Sequence, residues 1–348
     1  MKVVRYHAPG DVQNEQAEKP TIDTGDVLIR VKACSACGTD VKISRFGHHH
    51  IVPPRVMGHE IAGEIVDVGA DVNGWAAGDR VQVIAAIPCG ECPDCARGWM
   101  SVCPNQESMG YHYDGGFAEY MRVPAKVINV GGLNRIPDNV DFDQASVAEP
   151  LACVLNGQNL ATVGDGDDVL IIGSGPIGCL HVRLARARGA NRVFLADLSR
   201  SRLDLAADIV KPDAAICSGE TDLVEKVLEL TAGRGVDVAI TATAAGATQE
   251  QALQLTARRG RVSFFGGLPK DNPFISCDSN AVHYRELTIV GANGSSPANN
   301  AQALELIASG EVVVSDLITH RLPVEEALRA FEIVAKGDGI KVTIQPGG

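Results

Sequence analysis

Four cysteines lie close together in the sequence, in the pattern Cys-x2-Cys-x2-Cys-x7-Cys. Four thiolates on one short segment can enclose a zinc ion tetrahedrally, and a zinc with four protein ligands keeps no open position for a substrate. A chance cluster or a redox relay is the alternative interpretation. The pattern predicts a structural zinc site at Cys89, Cys92, Cys95 and Cys103.

A second set of candidate metal ligands is spread along the first half of the chain. Cys37 stands in Cys-Gly-Thr-Asp, His59 in Gly-His-Glu, and Glu149 directly before a proline. One thiolate, one imidazole and one carboxylate suit a catalytic zinc that keeps a position open for water or substrate. None of these residues is compelling alone, because a lone cysteine or histidine is more often a packed core residue, and Cys34 is a competing choice for the thiolate.

A glycine-rich turn follows an apolar segment and precedes a helical pattern. In Gly173-Ser-Gly175-Pro176-Ile177-Gly178, the first glycine suits a tight turn and the second lets the backbone approach a pyrophosphate. The third lets helix and strand pack closely, and the helix N-terminus offers N–H groups to phosphates. The turn predicts a dinucleotide site, although glycines that serve packing alone would give the same pattern.

Asp197 lies about 20 residues beyond this turn, at the end of the next apolar segment. Its carboxylate can accept a hydrogen bond from a ribose 2′-hydroxyl and would repel a 2′-phosphate, so NAD is the expected cofactor. Arg200 and Arg202 stand close by, and guanidinium groups bind phosphates well. NADP therefore stays open, and Arg202 is itself a candidate cofactor contact.

These residues need two kinds of scaffold. The first third of the chain has short strands divided by glycine and proline, at 27–31, 61–68 and 78–83. From residue 168 onward, apolar strands alternate with helical segments, which predicts an α/β domain with a parallel sheet covered on both faces. The predicted strands of this part are 168–172, 192–196, 236–240, 261–265 and 287–292, and helices at 298–309 and 324–336 precede a last strand at 341–344.

Length and composition limit the classes of protein. At about 150 residues per domain, 348 residues predict roughly two domains. The net charge of −12 argues against non-specific nucleic-acid binding. No apolar run approaches the ~18 residues that span a bilayer, and the start lacks the apolar stretch of a signal peptide. We therefore expect a cytoplasmic protein whose five remaining cysteines are small buried residues.

The order of these motifs resembles the zinc-dependent medium-chain dehydrogenase/reductase family over nearly the whole chain. The segments Gly115–Tyr120 and Asp79–Val81 also look like that family. A glutamate at position 149 resembles the sorbitol (polyol) and threonine dehydrogenase branches, since the classical alcohol dehydrogenases have cysteine there. The resemblance implies a GroES-like, β-rich catalytic domain formed by 1–151 and 293–348, with a doubly wound Rossmann NAD-binding domain inserted at 152–292.

The resemblance also implies site roles. A catalytic zinc would lie on Cys37 and His59, with Glu60 and Glu149 at the metal, one as a direct ligand and the other holding water or exchanging with it. Thr39 would accept the proton of the substrate. Two zinc ions per chain and a homodimer or homotetramer are expected from the relatives.

Further roles concern the proton relay and the substrate. Asp40 would orient His59, and Lys42 replaces a histidine that ends the relay in many relatives. The segment 43–57 carries Arg45, Arg55 and three histidines, which suits a polar substrate. A polyol or sugar alcohol, phosphorylated or not, oxidised at a secondary carbon to a ketose, is the first choice. L-threonine or another hydroxy acid is the alternative, and a non-catalytic nucleotide-binding protein is a distant one.

Overall fold

The computed structural model describes residues 1–347, which form two compact units. One unit comprises Met1–Ala152 with the described residues from Gly294 onward, and the other comprises Cys153–Asn293. Among the described residues, none of the helices combines the length and the apolarity that a bilayer crossing requires.

The chain up to residue 160 consists of short strands and mostly short helices, as its frequent glycines and prolines predict. The strands are β1 Lys2–Ala8, β2 Asp11–Gln16, β3 Val27–Ala36, β4 Arg55–Val56, β5 Glu60–Val68, β6 Arg80–Val83, β7 Ala86–Ile87, β8 Glu107–Ser108, β9 Tyr120–Val123 and β10 Leu133–Arg135. The helices are α1 Gly38–Phe46, α2 Pro93–Ala96, α3 Ala125–Asn129, α4 Phe142–Ser146 and α5 Ala148–Leu160, with a 3-10 turn at Met100–Val102.

The middle of the chain alternates strands and helices regularly. The strands are β11 Asp168–Ile172, β12 Arg192–Asp197, β13 Ala214–Cys217, β14 Val236–Thr241, β15 Thr256–Phe264 and β16 Thr288–Gly291. The helices are α6 Pro176–Ala187, α7 Arg200–Val210, α8 Leu223–Leu230, α9 Gly246–Leu255 and α10 Ser279–Arg285.

The last part of the chain returns to the first unit. It contains helix α11 Pro297–Ser309, strand β17 Ile318–Pro323, helix α12 Ala327–Lys336 and strand β18 Lys341–Gln345, with 3-10 turns at Ser315–Leu317 and Val324–Glu326. The helix expected over 324–336 thus begins as a 3-10 turn. Both units have a mainly aliphatic interior; that of the first includes Ile29, Ile61 and Ile65.

The main sheet of the first unit joins distant parts of the chain in the order β10-β6-β5-β3-β18-β17, and β9 also pairs with β3. Strand β3 is antiparallel to β5, with Ser35 opposite Glu60. It is also antiparallel to β18, with Ala36 opposite Val342. The carboxyl end of β3 therefore meets the start of β5 and the start of β18, and this junction holds the first candidate site.

The sheet of the second unit is parallel throughout, in the order β13-β12-β11-β14-β15-β16. This is the doubly wound sheet that the alternation predicts, and the α/β fold class is confirmed. The strand order reverses beside β11, and ligands bind such sheets at the carboxyl edge of that switch point. The glycine turn follows β11, and Asp197 ends β12 on the same edge.

The prediction that the five remaining cysteines are buried is wrong at Cys277, which is exposed. It lies between β15 and α10, in a long exposed connection without regular structure. Cys34, Cys179 and Cys217 are buried, and Cys153 is partly buried.

Candidate metal and cofactor sites

The four clustered cysteines face one another. Their sulfur atoms all lie within 4.8 Å of one another. The Sγ atoms of Cys89 and Cys95 are 4.0 Å apart, those of Cys92 and Cys103 3.8 Å, and those of Cys89 and Cys103 3.6 Å. A tetrahedron with Zn–S bonds of about 2.3 Å has edges of about 3.8 Å. The spacing fits one zinc ion.

The backbone around this cluster directs several N–H groups at the cysteine sulfur atoms. The amide N–H groups of Cys92, Cys95 and Cys89 donate to the sulfurs of Cys89, Cys92 and Cys103, at 3.4, 3.4 and 3.3 Å. Backbone hydrogen bonds from Glu91 and Cys92 lower the pKa of Cys89 to about 6. Burial raises the pKa of Cys95 to about 12, so a dication is the group that would keep all four sulfurs as thiolates.

A second ligand cluster forms where β3 ends and β5 begins. The ligand atoms of Cys37, His59 and Glu60 all lie within 4.8 Å of one another. Cys37 caps α1 directly after β3, and His59 and Glu60 begin the antiparallel partner strand β5. The pairing of the two strands therefore brings together residues that are more than twenty positions apart in sequence. Thiolate, imidazole and carboxylate form a donor set that suits zinc.

Asp40 fixes the geometry of this cluster from behind. One carboxylate oxygen accepts the amide N–H of Cys37 at 2.9 Å, and the other lies 3.2 Å from Nδ1 of His59. Burial disfavours the charged imidazole, but Asp40 and the Cys37 thiol outweigh it and raise the pKa of His59 well above its ordinary value. This contact engages Nδ1 and leaves Nε2 as the ring nitrogen available to a metal, which is the geometry expected if Asp40 orients His59.

Glu60 is fully buried, and its charge needs a partner. Lys341, the first residue of β18, forms an ion pair with Oε2 of Glu60. Burial nevertheless raises the pKa of Glu60. Oε1 of Glu60 has no hydrogen-bond partner among residues 1–347. An unpartnered buried carboxylate oxygen beside a thiol and an imidazole could serve as a ligand of a metal ion.

Two of the predicted site residues lie outside this three-ligand group. Glu149 stands in the first turn of α5, is 8 % exposed, and acts electrostatically on Glu60 and Lys341. Thr39 is half-buried in the first turn of α1, and Lys42, one turn further on, is exposed.

Sequence reasoning missed two residues of this region. Lys341 had a signal in the sequence, because it is the one charged residue of a strand whose other residues are uncharged. Tyr111 had none, and its ring lies 6.0 Å from that of His59.

Tyr111 connects His59 to a group of histidines. The ring of His48 lies 5.0 Å from that of Tyr111, and the rings of His50 and His112 are also 5.0 Å apart. Burial raises the pKa of Tyr111 well above that of a free phenol, so its hydroxyl stays protonated. The surroundings of the candidate zinc ligands in the first unit are therefore polar.

The glycine turn of the second unit has the backbone that its three glycines predict. Gly173 has φ +116°, and a Cβ on Gly178 would lie 1.8 Å from the carbonyl oxygen of Gly173. Gly175 caps α6 with φ −71° and has room for a Cβ, and Pro176 and Ile177 form the first turn of that helix. Gly175 therefore leaves room for a phosphate group to approach the N-terminus of α6.

The residues beside this turn bear on the choice of nucleotide. Oδ2 of Asp197 accepts the N–H and the hydroxyl of Ser174, both at 2.8 Å, and Oδ1 accepts the N–H of Ser199 at 2.9 Å. Arg200 is paired with Glu220. A guanidinium nitrogen of Arg202 lies 3.5 Å from the position of a Cβ on Gly175, which places Arg202 beside the turn.

Comparisons with known proteins agree with this geometry. Residues 23–131 match the alcohol dehydrogenase GroES-like domain, and residues 176–309 match the zinc-binding dehydrogenase family. The chain is 31% identical to a sorbitol dehydrogenase from Halalkalibacterium halodurans over 99% of its own length and 98% of the relative's. It is 36% identical to an L-threonine 3-dehydrogenase from Pyrococcus furiosus over 94% of its length and 93% of the relative's.

A solved structure gives the same result for the fold. A zinc-binding dehydrogenase from Sinorhizobium meliloti, bound to NADP, superposes with a TM-score of 0.90 at 32% identity and 99% coverage of both chains. The GroES-like and Rossmann-type folds are thereby confirmed. The chain belongs to the zinc-dependent medium-chain dehydrogenase/reductase family and is a dehydrogenase of the alcohol and polyol class.

Proposed function

We propose that the chain oxidises a secondary alcohol of a polyol or sugar alcohol to a ketose, with NAD as the hydride acceptor. The observation that carries this proposal is the cluster of Cys37, His59 and Glu60, whose ligand atoms lie within 4.8 Å of one another. In the balanced reaction the alcohol loses a hydride to NAD⁺ and a proton to the protein or solvent, which yields ketone, NADH and H⁺.

Each residue of the cluster has a separate task. Cys37, His59 and Glu60 would hold a zinc ion, which supplies Lewis acidity that lowers the pKa of a bound alcohol. Asp40 keeps Nδ1 of His59 engaged, so that Nε2 faces the ligand cluster. Thr39, in the first turn of α1, would accept the hydroxyl proton, and Glu149 would be the second carboxylate at the metal.

The remaining cofactor assignments follow from the second unit. Gly173, Gly175 and Gly178 shape the turn that receives the pyrophosphate, with Arg202 beside it. Asp197 keeps acceptor capacity for a ribose hydroxyl, because a carboxylate can accept about four hydrogen bonds and three are in use. Together with the pairing of Arg200 to Glu220, this supports NAD over NADP. The four-cysteine cluster would hold a second, structural zinc.

The histidines around Tyr111 support a polar substrate. An aryl or long-chain alcohol would favour an apolar lining, whereas His48, His50 and His112 present ring nitrogens that can hydrogen-bond hydroxyl groups. L-threonine is the second candidate, since a 36% identical relative is an L-threonine 3-dehydrogenase and imidazoles also suit a carboxylate.

A substrate panel tests the proposal. The purified full chain is assayed for NADH and NADPH formation with polyols, their phosphates, L-threonine and other hydroxy acids, and ethanol as the control without a secondary alcohol. We expect the highest kcat/KM with a polyol and NAD. Preference for L-threonine would select the second candidate. Binding of NADH without turnover on any alcohol would overturn the proposal.

A further inference from the structure

A buried cation lies behind the candidate zinc ligands. Lys341 is 2% exposed, and its Nζ pairs with Oε2 of Glu60 and donates to the carbonyl oxygen of Ala36 at 3.3 Å. Lysine is almost never fully buried without a partner, and removing both charges of an ion pair from water is unfavourable. Packing alone does not require this pair, because an apolar pair of similar volume would fill the same space.

The sheet places this cation where it acts on the ligand cluster. Strand β3 lies between β18 and β5, and it ends at Ala36, one residue before Cys37. After Ala36, β3 no longer lies between β18 and β5, so the side chains of Lys341 and Glu60 can form their ion pair. The charges of Glu60, Cys37 and Glu149 all act on Lys341, which makes it the counter-charge of the anionic ligand set.

The ion pair between Lys341 and Glu60 is made through Oε2 of the carboxylate. Lys341 lies against Oε2, and Oε1 has no hydrogen-bond partner among the residues that the structure describes. A lysine ammonium acts as a point charge, whereas an arginine fork can take both oxygens of a carboxylate. Oε2 of Glu60 is therefore engaged by Lys341, and Oε1 is available to a metal.

We propose that Lys341 is a positioning residue that limits Glu60 to a single, weakened contact with the catalytic metal and so keeps a coordination position for the substrate. This inference rests on the proposed metal role of Cys37, His59 and Glu60. Without Lys341, both oxygens of Glu60 and its full charge would be available to the metal, the ion would be held more tightly, and the position for the alcohol would be occupied.

Metal release tests the proposal without any substrate. The zinc-loaded full chain is mixed with a chromophoric chelator, and the release phase that Cys37→Ser abolishes is assigned to the catalytic site. Lys341→Met is expected to slow this phase about tenfold. Lys341→Arg is expected to accelerate it severalfold, because the arginine fork occupies both oxygens of Glu60. A merely structural lysine would give both variants the same direction of change.

A second-site variant shows whether Lys341 acts through Glu60. In a Glu60→Gln background, Lys341→Met is expected to leave the release rate within about twofold. Equal shifts in both backgrounds, an unchanged rate in Lys341→Met, or faster release from both Lys341 variants would overturn the proposal. If Lys341→Met fails to fold, the charge-retaining Lys341→Arg decides, since release no faster than wild type contradicts the inference. Absence of any phase that Cys37→Ser removes would instead refute the proposed metal site.

Discussion

Gly175 and Gly178 belong to one turn, but only Gly178 is required by the packing of the turn. Gly175 has φ −71° and ψ −174°, which any residue adopts, and an added Cβ would lie 3.5 Å from the guanidinium of Arg202, an ordinary contact. Gly175→Ala is therefore expected to change the free energy of unfolding by less than about 0.5 kcal/mol. The new methyl group would stand where the pyrophosphate approaches, so we expect the Kd for NADH to rise at least about tenfold, or about 1.4 kcal/mol.

Gly178 gives the opposite expectation. A Cβ there would lie 1.8 Å from the carbonyl oxygen of Gly173, so helix α6 and the turn must separate by roughly 1.5 Å to reach ordinary contact. Overpacking of this kind costs about 1–3 kcal/mol or more. The gain in helix propensity from glycine to alanine, up to about 1 kcal/mol, offsets only part of it. Gly178→Ala should lose stability as well as NADH affinity.

Two measurements separate the roles. Urea unfolding gives stability, and titration of NADH fluorescence gives affinity, with Gly164→Ala as the control because its Cβ would meet nothing closer than 3.9 Å. Wild-type NADH affinity in Gly175→Ala would refute the placement of the pyrophosphate over this turn. Unchanged unfolding of Gly178→Ala would refute the packing argument.

Two further predictions concern His181 and the cysteine cluster. Burial lowers the pKa of His181 to about 3, so between pH 6.5 and 3 this histidine takes up a proton only in the unfolded chain. The free energy of unfolding therefore decreases by about 1.4 kcal/mol for each unit by which the pH is lowered in this range. The difference between the urea midpoints at pH 7 and pH 5 should therefore be smaller in His181→Gln than in wild type, and an equal difference in the two proteins would contradict this. Cys95→Ser should lose one zinc by metal analysis while NADH affinity is kept; full metal retention would contradict the four-sulfur site.

The elements with local signals were predictable from the sequence. The apolar segments at 168–172 and 192–196 are strands within one residue of their predicted ends, because continuous apolar runs in a parallel sheet are bounded by turn residues. The four cysteines occupy one short segment, so their meeting needs no long-range information. Strand β15 begins at Thr256 rather than 261, since its start pairs with Val236 before a register shift.

The residues that contact the three candidate zinc ligands from outside were not predictable in the same way. Lys341 reaches Glu60 only because β18 pairs with β3, more than 300 residues earlier in the chain. Tyr111 approaches His59 from an irregular segment whose path no periodic pattern describes. Both contacts depend on the closure of the sheet, and a hydrophobic pattern specifies which residues are buried without specifying which strands become neighbours.

The central claim is that Cys37 binds a catalytic metal, and metal content measured together with turnover tests this claim directly. Cys37→Ser is compared with Cys34→Ala, a change of the fully buried cysteine three residues earlier that belongs to neither ligand cluster. We predict that Cys37→Ser loses the zinc of its own cluster, keeps the zinc of the four cysteines, and forms no NADH, whereas Cys34→Ala keeps both metals and turns over. A Cys37→Ser protein that retained both zinc ions, or that still oxidised the substrate, would contradict the account.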